Sequence, residues 1–418
     1  MTDRLYYHDS FLYDFEAEIR ELSTRPKPAL ILDRTAFYPT SGGQIHDTGV
    51  ISTENEKLKV TEVADTEDGR IVHYLEAPTK DLKPGTRIHG QIDRIRRRDH
   101  MQQHTGQHVL SAAFVRLFNM PTVSFHMGDD YCSIDLETPN LTKDQIEQAE
   151  RLANEIILEN RQVDIRFVTR DVAGKLGLRK IPPAVGAPGF AGVAKPGSGD
   201  KLRLIDIHDF DLTACGGTHV RQTGQIGCII LRKSEKVRQG WRVEFVAGQR
   251  AVATARQDFT TLTEAASLFS AHIYDVTQQV RKSLDEIRSL RKQREHSQEE
   301  LAEAQAATLL AQTPEINGRK IVVQTFSDRE MNFLKLLAQK LTRLSTQVVA
   351  LLASRSPQPS LVFAQSPGQP FDMSALMKQT MSRLGGRGGG SKDMAQGGVP
   401  ISEGIDDALY VAATTLQN

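Results

Sequence analysis

Cysteine and long apolar runs are both scarce in this sequence. Its 418 residues include three cysteines, Cys132, Cys215 and Cys228, which are too few and too scattered for a disulfide framework. We therefore predict a reducing, cytoplasmic setting. No apolar run approaches the roughly 20 residues of a membrane helix, and the N-terminus lacks the basic start and apolar stretch of a signal peptide. We expect neither a disulfide-stapled secreted domain nor a membrane partner.

The sequence also lacks a net charge. Lysine plus arginine equals aspartate plus glutamate, at 52 each, so no overall electrostatic field draws nucleic acid to the molecule. Any binding of RNA must then depend on local basic patches. The length is sufficient for two to four domains, each with a core of its own.

Four residues in two distant stretches have the chemistry of a metal site. His104 and His108 are four apart, so on a helix their imidazoles lie on one face. Cys215 and His219 are also four apart, and the two glycines between them favour a tight turn. Three imidazoles and one thiolate fit tetrahedral zinc better than calcium or magnesium, so we predict one Zn²⁺ per chain. Thr105 stands where zinc proteases carry a catalytic glutamate, which argues against a peptidase.

Residues 1–90 have the pattern of a small β-barrel domain. Short β-type runs, such as 29–32 and 70–75, are separated by turns that contain glycine. The turn Thr40-Ser41-Gly42-Gly43-Gln44 combines paired glycines with hydroxyl and amide side chains. Paired glycines let a backbone approach a ligand closely, although composition alone favours a plain hairpin turn here.

Residues 91–250 are expected to form an α/β domain that holds zinc between a helix and a sheet. The histidine helix should end at Asn119-Met120-Pro121. A hairpin should follow at 122–136, and then a helix from Thr142 to Arg161, in which Thr142 and Gln145 are placed to form a capping box. The run 202–207 has the pattern of a strand that leads to the cysteine turn. The proline- and glycine-rich residues 180–199 are predicted to form a loop over the site.

A basic run lies at the start of the histidine helix. Such a run is usually a solvated helix face. Beside a zinc site it can instead hold the phosphates of a nucleic acid, because each guanidinium can grip a phosphate with two hydrogen bonds. The arginines concerned are Arg94, Arg96, Arg97 and Arg98.

The remaining residues divide into a helical segment and a final α/β unit. Residues 251–313 contain neither glycine nor proline, so we predict a helical hairpin or coiled coil, with its basic side chains either solvated or in contact with RNA. Residues 314–418 have buried-strand patterns and a glycine-rich segment that lacks the order of a nucleotide phosphate loop. Arg387 and Lys392 in that segment are candidates for contact with an RNA backbone.

Taken together, these motifs resemble the AlaX family in its long form, whose members are related to the editing and C-terminal domains of alanyl-tRNA synthetase. The resemblance rests on residues 32–49, on the His104 helix, on residues 215–220 and on the glycine-rich tail that ends at Gly398. The tail is similar to the RNA-binding domain that those synthetases share with DHH phosphoesterases. Because the β domain begins almost at Met1, we expect no aminoacylation module.

The resemblance implies a multidomain α+β fold and a hydrolase that removes serine, or sometimes glycine, from mischarged tRNA(Ala). It also implies zinc ligation by His104, His108, Cys215 and His219, and identifies no group that activates water. Gln107 and Ser124 depart from the threonine and glutamine that synthetase editing sites often carry nearby. The predicted substrate-binding residues are Thr40, Ser41, Gly42, Gly43, Gln44, Gln107, Ser124 and His126, of which His126 is equally compatible with plain strand packing.

One alternative function remains open. If all four protein ligands bind at once, the zinc site is closed, as in structural sites. The chain would then be a non-catalytic, zinc-stabilised RNA-binding protein. For either function we expect tRNA as the partner, and the helical and C-terminal regions are candidates for forming a homodimer.

Overall fold

The N-terminal segment folds into a closed β-barrel, because apolar residues alternate along its strands. The computed structural model describes residues 1–80, 82–179 and 201–417. Six antiparallel strands form the closed barrel in the order β1-β2-β5-β4-β3-β6, and their inward residues make one apolar core. This confirms the predicted barrel. The strands are β1 (Asp14–Ser23), β2 (Ala29–Leu32), β3 (Gly49–Ser52), β4 (Lys57–Asp65), β5 (Ile71–Leu75) and β6 (Arg87–Ile92).

A long helix follows the barrel directly and carries the predicted histidines. Helix α1 (Arg94–Phe118) begins after Asp93, whose carboxylate accepts hydrogen bonds from the amides of Ile95 and Arg96. It ends at Asn119, which has a left-handed φ of +53°. Both ends therefore follow from local sequence, and the predicted end at Asn119 is confirmed.

Helices α1 and α2 pack on one face of a four-stranded sheet, and together they bury the largest apolar core. The sheet order is β12-β13-β8-β7. Thr142 caps α2 and forms the predicted capping box with Gln145. The elements are β7 (Thr122–Met127), β8 (Cys132–Leu136), α2 (Lys143–Leu158), β12 (Ile229–Val237) and β13 (Gly240–Ala247).

A three-stranded sheet, in the order β9-β10-β11, delivers Cys215. Its members are β9 (Val163–Thr169), which leads into the short helix α3 (Arg170–Ala173), β10 (Lys201–Ile207) and β11 (Asp211–Ala214). The strand that leads directly into Cys215 is β11, whereas the sequence pattern pointed to 202–207. The loop predicted at 180–199 lies outside the described residues.

The chain divides into two compact units, Met1–Glu264 and Ala265–Asn418. Helix α4 (Gly248–Leu268) crosses this division and helix α5 (Val276–Gln312) follows it, so the predicted helical character of 251–313 is confirmed. At 1.5 Å per residue α5 is about 55 Å long. Pairing of the two helices as a hairpin, and the finer domain boundaries, stay predictions.

The second unit is built on a six-stranded sheet between helices. Because side chains alternate along β16 and β17, one face packs on α6 and the end of α5 and the other on α7 and α8. The strand order is β14-β15-β16-β17-β19-β18, with β15 and β16 parallel. The elements are β14 (Glu315–Ile316), β15 (Arg319–Phe326), α6 (Met331–Leu344), β16 (Val348–Ser354), β17 (Ser360–Gln365), α7 (Met373–Leu384), β18 (Arg387–Gly390), β19 (Met394–Gly398) and α8 (Ile405–Gln417).

The glycine-rich segment is a β-hairpin at the edge of this sheet. Strands β18 and β19 pair antiparallel. A Cβ atom on Gly388 would lie 2.9 Å from Met381 Cγ, so the missing side chain lets α7 pack flat on the hairpin. The sequence pattern did not predict these strands because glycine has low strand propensity.

Candidate metal centre

Helix α1 and the turn after β11 bring the four predicted ligands together. His104, His108 and His219 are 2% to 3% exposed, and Cys215 is partly exposed. One donor atom from each residue can be chosen so that all four lie within 4.8 Å of one another. The turn fits closely against the helix, because a Cβ atom on Gly217 would collide with the His104 ring.

The distances between donor atoms match those of a tetrahedral zinc site. Cys215 Sγ lies 3.4 Å from His104 Nε2 and 3.3 Å from His219 Nε2. Ligands at the usual zinc–nitrogen and zinc–sulfur bond lengths are about 3.5 Å apart at a tetrahedral angle. The residues present therefore fit zinc both in donor type and in spacing.

Each imidazole has a partner at Nδ1, which leaves Nε2 for a metal ion. His104 Nδ1 lies 2.7 Å from Gln44 Oε1, and His219 Nδ1 lies 3.1 Å from Thr105 Oγ1. His108 Nδ1 lies 3.3 Å from Asp211 Oδ2, in an ion-pair contact that does not have hydrogen-bond geometry. Acceptors at Nδ1 fix the tautomer and the ring orientation of metal-binding histidines. The partners of His104, His108 and His219 are thus an amide, a carboxylate and a hydroxyl.

The surroundings favour a metal-binding protonation state at Cys215 and His219, whereas at His108 burial lowers the pKa but Asp211 and Cys215 raise it above its usual value, so that His108 must give up a proton to a metal ion. Although burial raises the pKa of the Cys215 thiol, the adjacent His104 imidazole and hydrogen bonds with His104 and His108 hold it well below its usual range. Burial lowers the pKa of His219 well below its usual value, which keeps that ring neutral. Burial also opposes ionisation of Asp211, but the Arg179 guanidinium and His108 hold its pKa at about 2. A thiolate, a neutral imidazole and a carboxylate that orients His108 are the result.

The paired-glycine turn delivers Gln44 from the barrel into the centre. Gly42 and Gly43 have φ values of +57° and +84°, which glycine adopts readily. Gln44 is fully buried; its Oε1 also accepts from the Thr218 amide at 3.1 Å, and its Nε2 donates to Thr218 Oγ1 at 2.9 Å. Gln44 therefore orients both His104 and the second ligand turn.

The other predicted substrate-binding residues differ in burial and in their hydrogen-bond partners. Gln107 is buried beside His108 and donates to Ser111 Oγ at 2.7 Å. Thr40 is exposed and bonds His46 Nδ1 at 3.0 Å. Ser124 donates to Asp135 on the neighbouring strand at 2.6 Å, and His126, two residues along, is exposed.

The burial of Arg97 contradicts its predicted contact with RNA. Its side chain is 0% exposed, and its guanidinium bonds Asp47 together with the carbonyls of Ser10 and Ala36. The pattern suggested a solvated run, but Arg97 lies on the face of α1 that packs against the barrel. It ties the barrel to the helix and is removed from the RNA-binding proposal.

The other predicted RNA-binding residues keep side-chain surface. Arg94 is exposed and bonds Asp14 at 2.7 Å, Arg96 donates to the His46 carbonyl at 3.0 Å, and Arg98 is exposed. In the second unit, Arg387 lies on β18 and Lys392 follows it, and both are exposed.

Helix α5 carries a row of partly exposed apolar side chains. These residues are 39% to 55% exposed: Val280, Leu284, Ile287 and Leu290.

Two residues that contact the cluster imidazoles could not be recognised from the sequence pattern. Asp211, at the start of β11, is held by Arg179 through bonds of 2.6 and 3.0 Å. The pattern marks Thr105 only as the replacement for a protease glutamate, yet its hydroxyl also accepts from the Val220 amide at 3.1 Å. Asp211 could have been noticed because it begins the strand that leads into Cys215, but the sequence pattern does not specify which way its carboxylate points.

Among the helices of the described residues, none combines the length and the apolar character that a membrane span requires.

Three family models match parts of the sequence. The model for class II (A) tRNA synthetases matches residues 4–96. The model for the threonyl and alanyl tRNA synthetase second additional domain matches residues 202–244, which include Cys215 and His219. The DHHA1 domain model matches residues 318–418. Matched segments therefore occur in the barrel, at the second ligand turn and in the second unit.

Individual relatives extend the similarity over the whole chain. The alanyl-tRNA editing protein AlaX-L of Pyrococcus horikoshii is 29% identical, and the alignment covers 100% of both chains. The alanine–tRNA ligase of Thermococcus kodakarensis is 32% identical over 98% of this chain, which spans only 43% of the ligase. The crystal structure of the C-Ala domain of Aquifex aeolicus alanyl-tRNA synthetase matches 26% of this chain and 99% of that domain at 22% identity. Its TM-score of 0.24 is too low to establish a shared fold.

Proposed function

Because the chain belongs to the AlaX-L family of alanyl-tRNA editing proteins, we propose that it is a trans-editing hydrolase that deacylates mischarged Ser-tRNA(Ala). Gly-tRNA(Ala) is the second expected substrate. The observation that carries this proposal is the convergence of His104, His108, Cys215 and His219, with a hydrogen-bond partner behind His104 and His219 and a carboxylate 3.3 Å from His108. A centre supported in this way holds a zinc ion in one fixed geometry.

In this proposal the residues of the chain bind the zinc ion, orient the imidazole rings and leave one edge of the centre partly open. A zinc ion bound here would polarise the ester carbonyl, lower the pKa of water or hold the substrate amino group. Gln44, Thr105 and Asp211 hold the imidazole rings in place. The partial exposure of Cys215 and Gly216 leaves an approach for the end of the tRNA, and the proposed partner of the serine side chain is the hydroxyl of Ser41, which is also partly exposed.

The predicted tRNA contacts extend this proposal to both units. Exposed guanidinium and ammonium groups grip phosphates without reading sequence. The proposed residues are Arg94, Arg96, Arg98, Arg387 and Lys392.

The number of protein ligands favours a second candidate function. Four donors complete a tetrahedral zinc site and leave no free position for water or substrate. Under that arrangement the chain would be a non-catalytic RNA-binding protein stabilised by zinc. Chelation separates the two, since a structural site loses its fold with the metal, whereas a catalytic site loses activity with the fold largely kept.

The decisive experiment is release of amino acid from purified Ser-tRNA(Ala), Gly-tRNA(Ala) and Ala-tRNA(Ala). We expect rapid release of serine, sparing of alanine, and loss of activity in Cys215→Ala. Cys228→Ala is the matched control, because Cys228 is another partly exposed cysteine of the same unit and is not one of the four cluster residues. If the zinc-loaded, folded protein releases none of the three, the hydrolase proposal is rejected in favour of the binding function.

A further inference from the structure

Phe125 places an apolar ring directly on the metal centre. The centroid of its ring lies 5.3 Å from that of His104, with the two planes tilted by 33°. Within residues 1–80, 82–179 and 201–417, it is the only ring other than a histidine in contact with the three cluster imidazoles. The neighbours Ser124 and His126 do not share this contact, since side chains alternate along β7.

The Phe125 ring is fixed in position. On one side, a Cβ atom on Gly43 would lie 2.8 Å from Phe125 Cδ1 and would collide with the Phe125 carbonyl oxygen. The Met127 amide donates to the Gly43 carbonyl at 2.9 Å, and Phe125 pairs with Ile134 of β8. The ring is therefore held between the paired-glycine turn and His104.

Phe125 also keeps part of its surface. The imidazoles of His104, His108 and His219 are almost fully buried, whereas Phe125 and Cys215 are partly exposed. Phe125 therefore combines contact with a cluster imidazole and accessible surface, so its ring borders the centre.

We propose that Phe125 is the wall of the aminoacyl subsite and limits the size of the amino acid whose ester is cleaved. This inference rests on the proposed hydrolase function and names its substrate class, the esters of glycine and serine as opposed to those of branched amino acids. A phenyl ring packed on a zinc ligand excludes volume, and a side chain one or two carbons larger must displace it. Phe125 sets the upper size limit, and the hydroxyl group at Ser41 acts within that limit.

The test compares hydrolysis of tRNA(Ala) carrying serine, threonine or valine by the wild-type chain, Phe125→Ala and Phe125→Leu. We expect wild type to prefer serine over valine strongly. Each carbon of misfit in an apolar pocket changes discrimination by about tenfold or more. Phe125→Ala should therefore lower the ratio of serine to valine hydrolysis at least tenfold, and Phe125→Leu should lower it by a smaller factor. Val123→Ala, at an exposed apolar position of the same strand, should leave the ratio unchanged.

Bound zinc is measured in every variant, so that loss of the centre is not mistaken for a change in selectivity. If zinc-loaded Phe125→Ala releases serine with an unchanged serine-to-valine ratio, Phe125 does not limit the size of the amino acid. The proposed hydrolase function would still stand. If Phe125→Ala loses zinc or fails to fold, Phe125→Leu decides, and an unchanged ratio in that variant also overturns the inference. Absence of serine release by the wild type would instead reject the proposed function itself.

Discussion

Three different groups hold the imidazoles of the metal centre, and each can be removed by itself. Gln44 is the most connected of them, because its amide bonds His104, the Thr218 amide and the Thr218 hydroxyl. It also comes from the barrel, so a residue of one element orients a ligand of another. Residues with this supporting role usually affect metal affinity by about 10- to 100-fold.

We predict that Gln44→Ala weakens zinc binding by about 10- to 100-fold. The physical reason is that His104 Nδ1 and the buried Thr218 amide both lose their acceptor, and an unpaired buried donor is unfavourable. Competition with a chromophoric chelator measures the affinity. Gln91→Ala is the control, since Gln91 is an exposed barrel residue that bonds Asp14. Equal affinities in the two variants would contradict the supporting role of Gln44.

We also predict that Gly217→Ala empties the centre of metal. A methyl group at this position collides with the His104 ring, so the ligand turn and α1 must separate. Bound zinc, measured by atomic emission, should fall well below one ion per chain, and serine release should fall with it. Gly177→Ala should retain both, because a Cβ atom there meets no neighbour within 4 Å. Full zinc content in Gly217→Ala would show that the turn can shift without cost.

At the scale of the element, the barrel contains a buried histidine that makes its stability depend on pH. His73 on β5 is fully buried, its Nδ1 lies 3.2 Å from the Leu30 carbonyl and its Nε2 lies 2.8 Å from Thr35 Oγ1. Both contacts suit a neutral ring, in which Nδ1 donates and Nε2 accepts. Burial lowers the pKa of His73 from 6.5 to about 4.

This lowered pKa of His73 gives the direction of the pH effect. Between pH 6.5 and 4 the unfolded chain binds a proton that the folded chain excludes, so stability is complete above pH 6.5 and is lost on acidification. From pH 7 to pH 5 the loss is about 2 kcal/mol. We expect the wild type to lose that much more unfolding free energy than His73→Gln, as followed by fluorescence of Trp241, the single tryptophan. His89→Gln, at an exposed barrel position, should behave as the wild type, and an identical pH dependence in all three would contradict the assignment.

Elements governed by local chemistry could be predicted from the sequence, and those governed by distant partners could not. The Thr142 capping box, the stop at Asn119 and the alternating barrel strands depend on neighbouring residues, and all were confirmed. The burial of Arg97 depends on Asp47, fifty residues earlier in the chain, and spacing within α1 does not reveal it.

The same distinction holds at the metal centre. The four ligand candidates could be identified because residues four apart come together on a helix or across a turn. The support of His108 by Asp211 and the packing of Phe125 on His104 arise only when separate sheets and helices meet. The sequence therefore indicated the four residues that come together, but not the groups that orient and border them.

For the whole molecule, zero net charge means that the proposed tRNA binding must come from separate basic positions. We predict that Arg387→Ala combined with Lys392→Ala raises the KM for Ser-tRNA(Ala) several-fold and leaves kcat and zinc content unchanged, because both residues lie in the second unit and the metal centre lies in the first. Each lost phosphate contact also lowers the slope of log affinity against log salt concentration by roughly 0.7 to 0.9. Binding titrations over a range of salt concentrations measure that slope. Arg343→Ala, at an exposed position on α6, is the control, and an unaltered KM and salt slope in the double variant would show that the glycine-rich hairpin does not contact the RNA backbone.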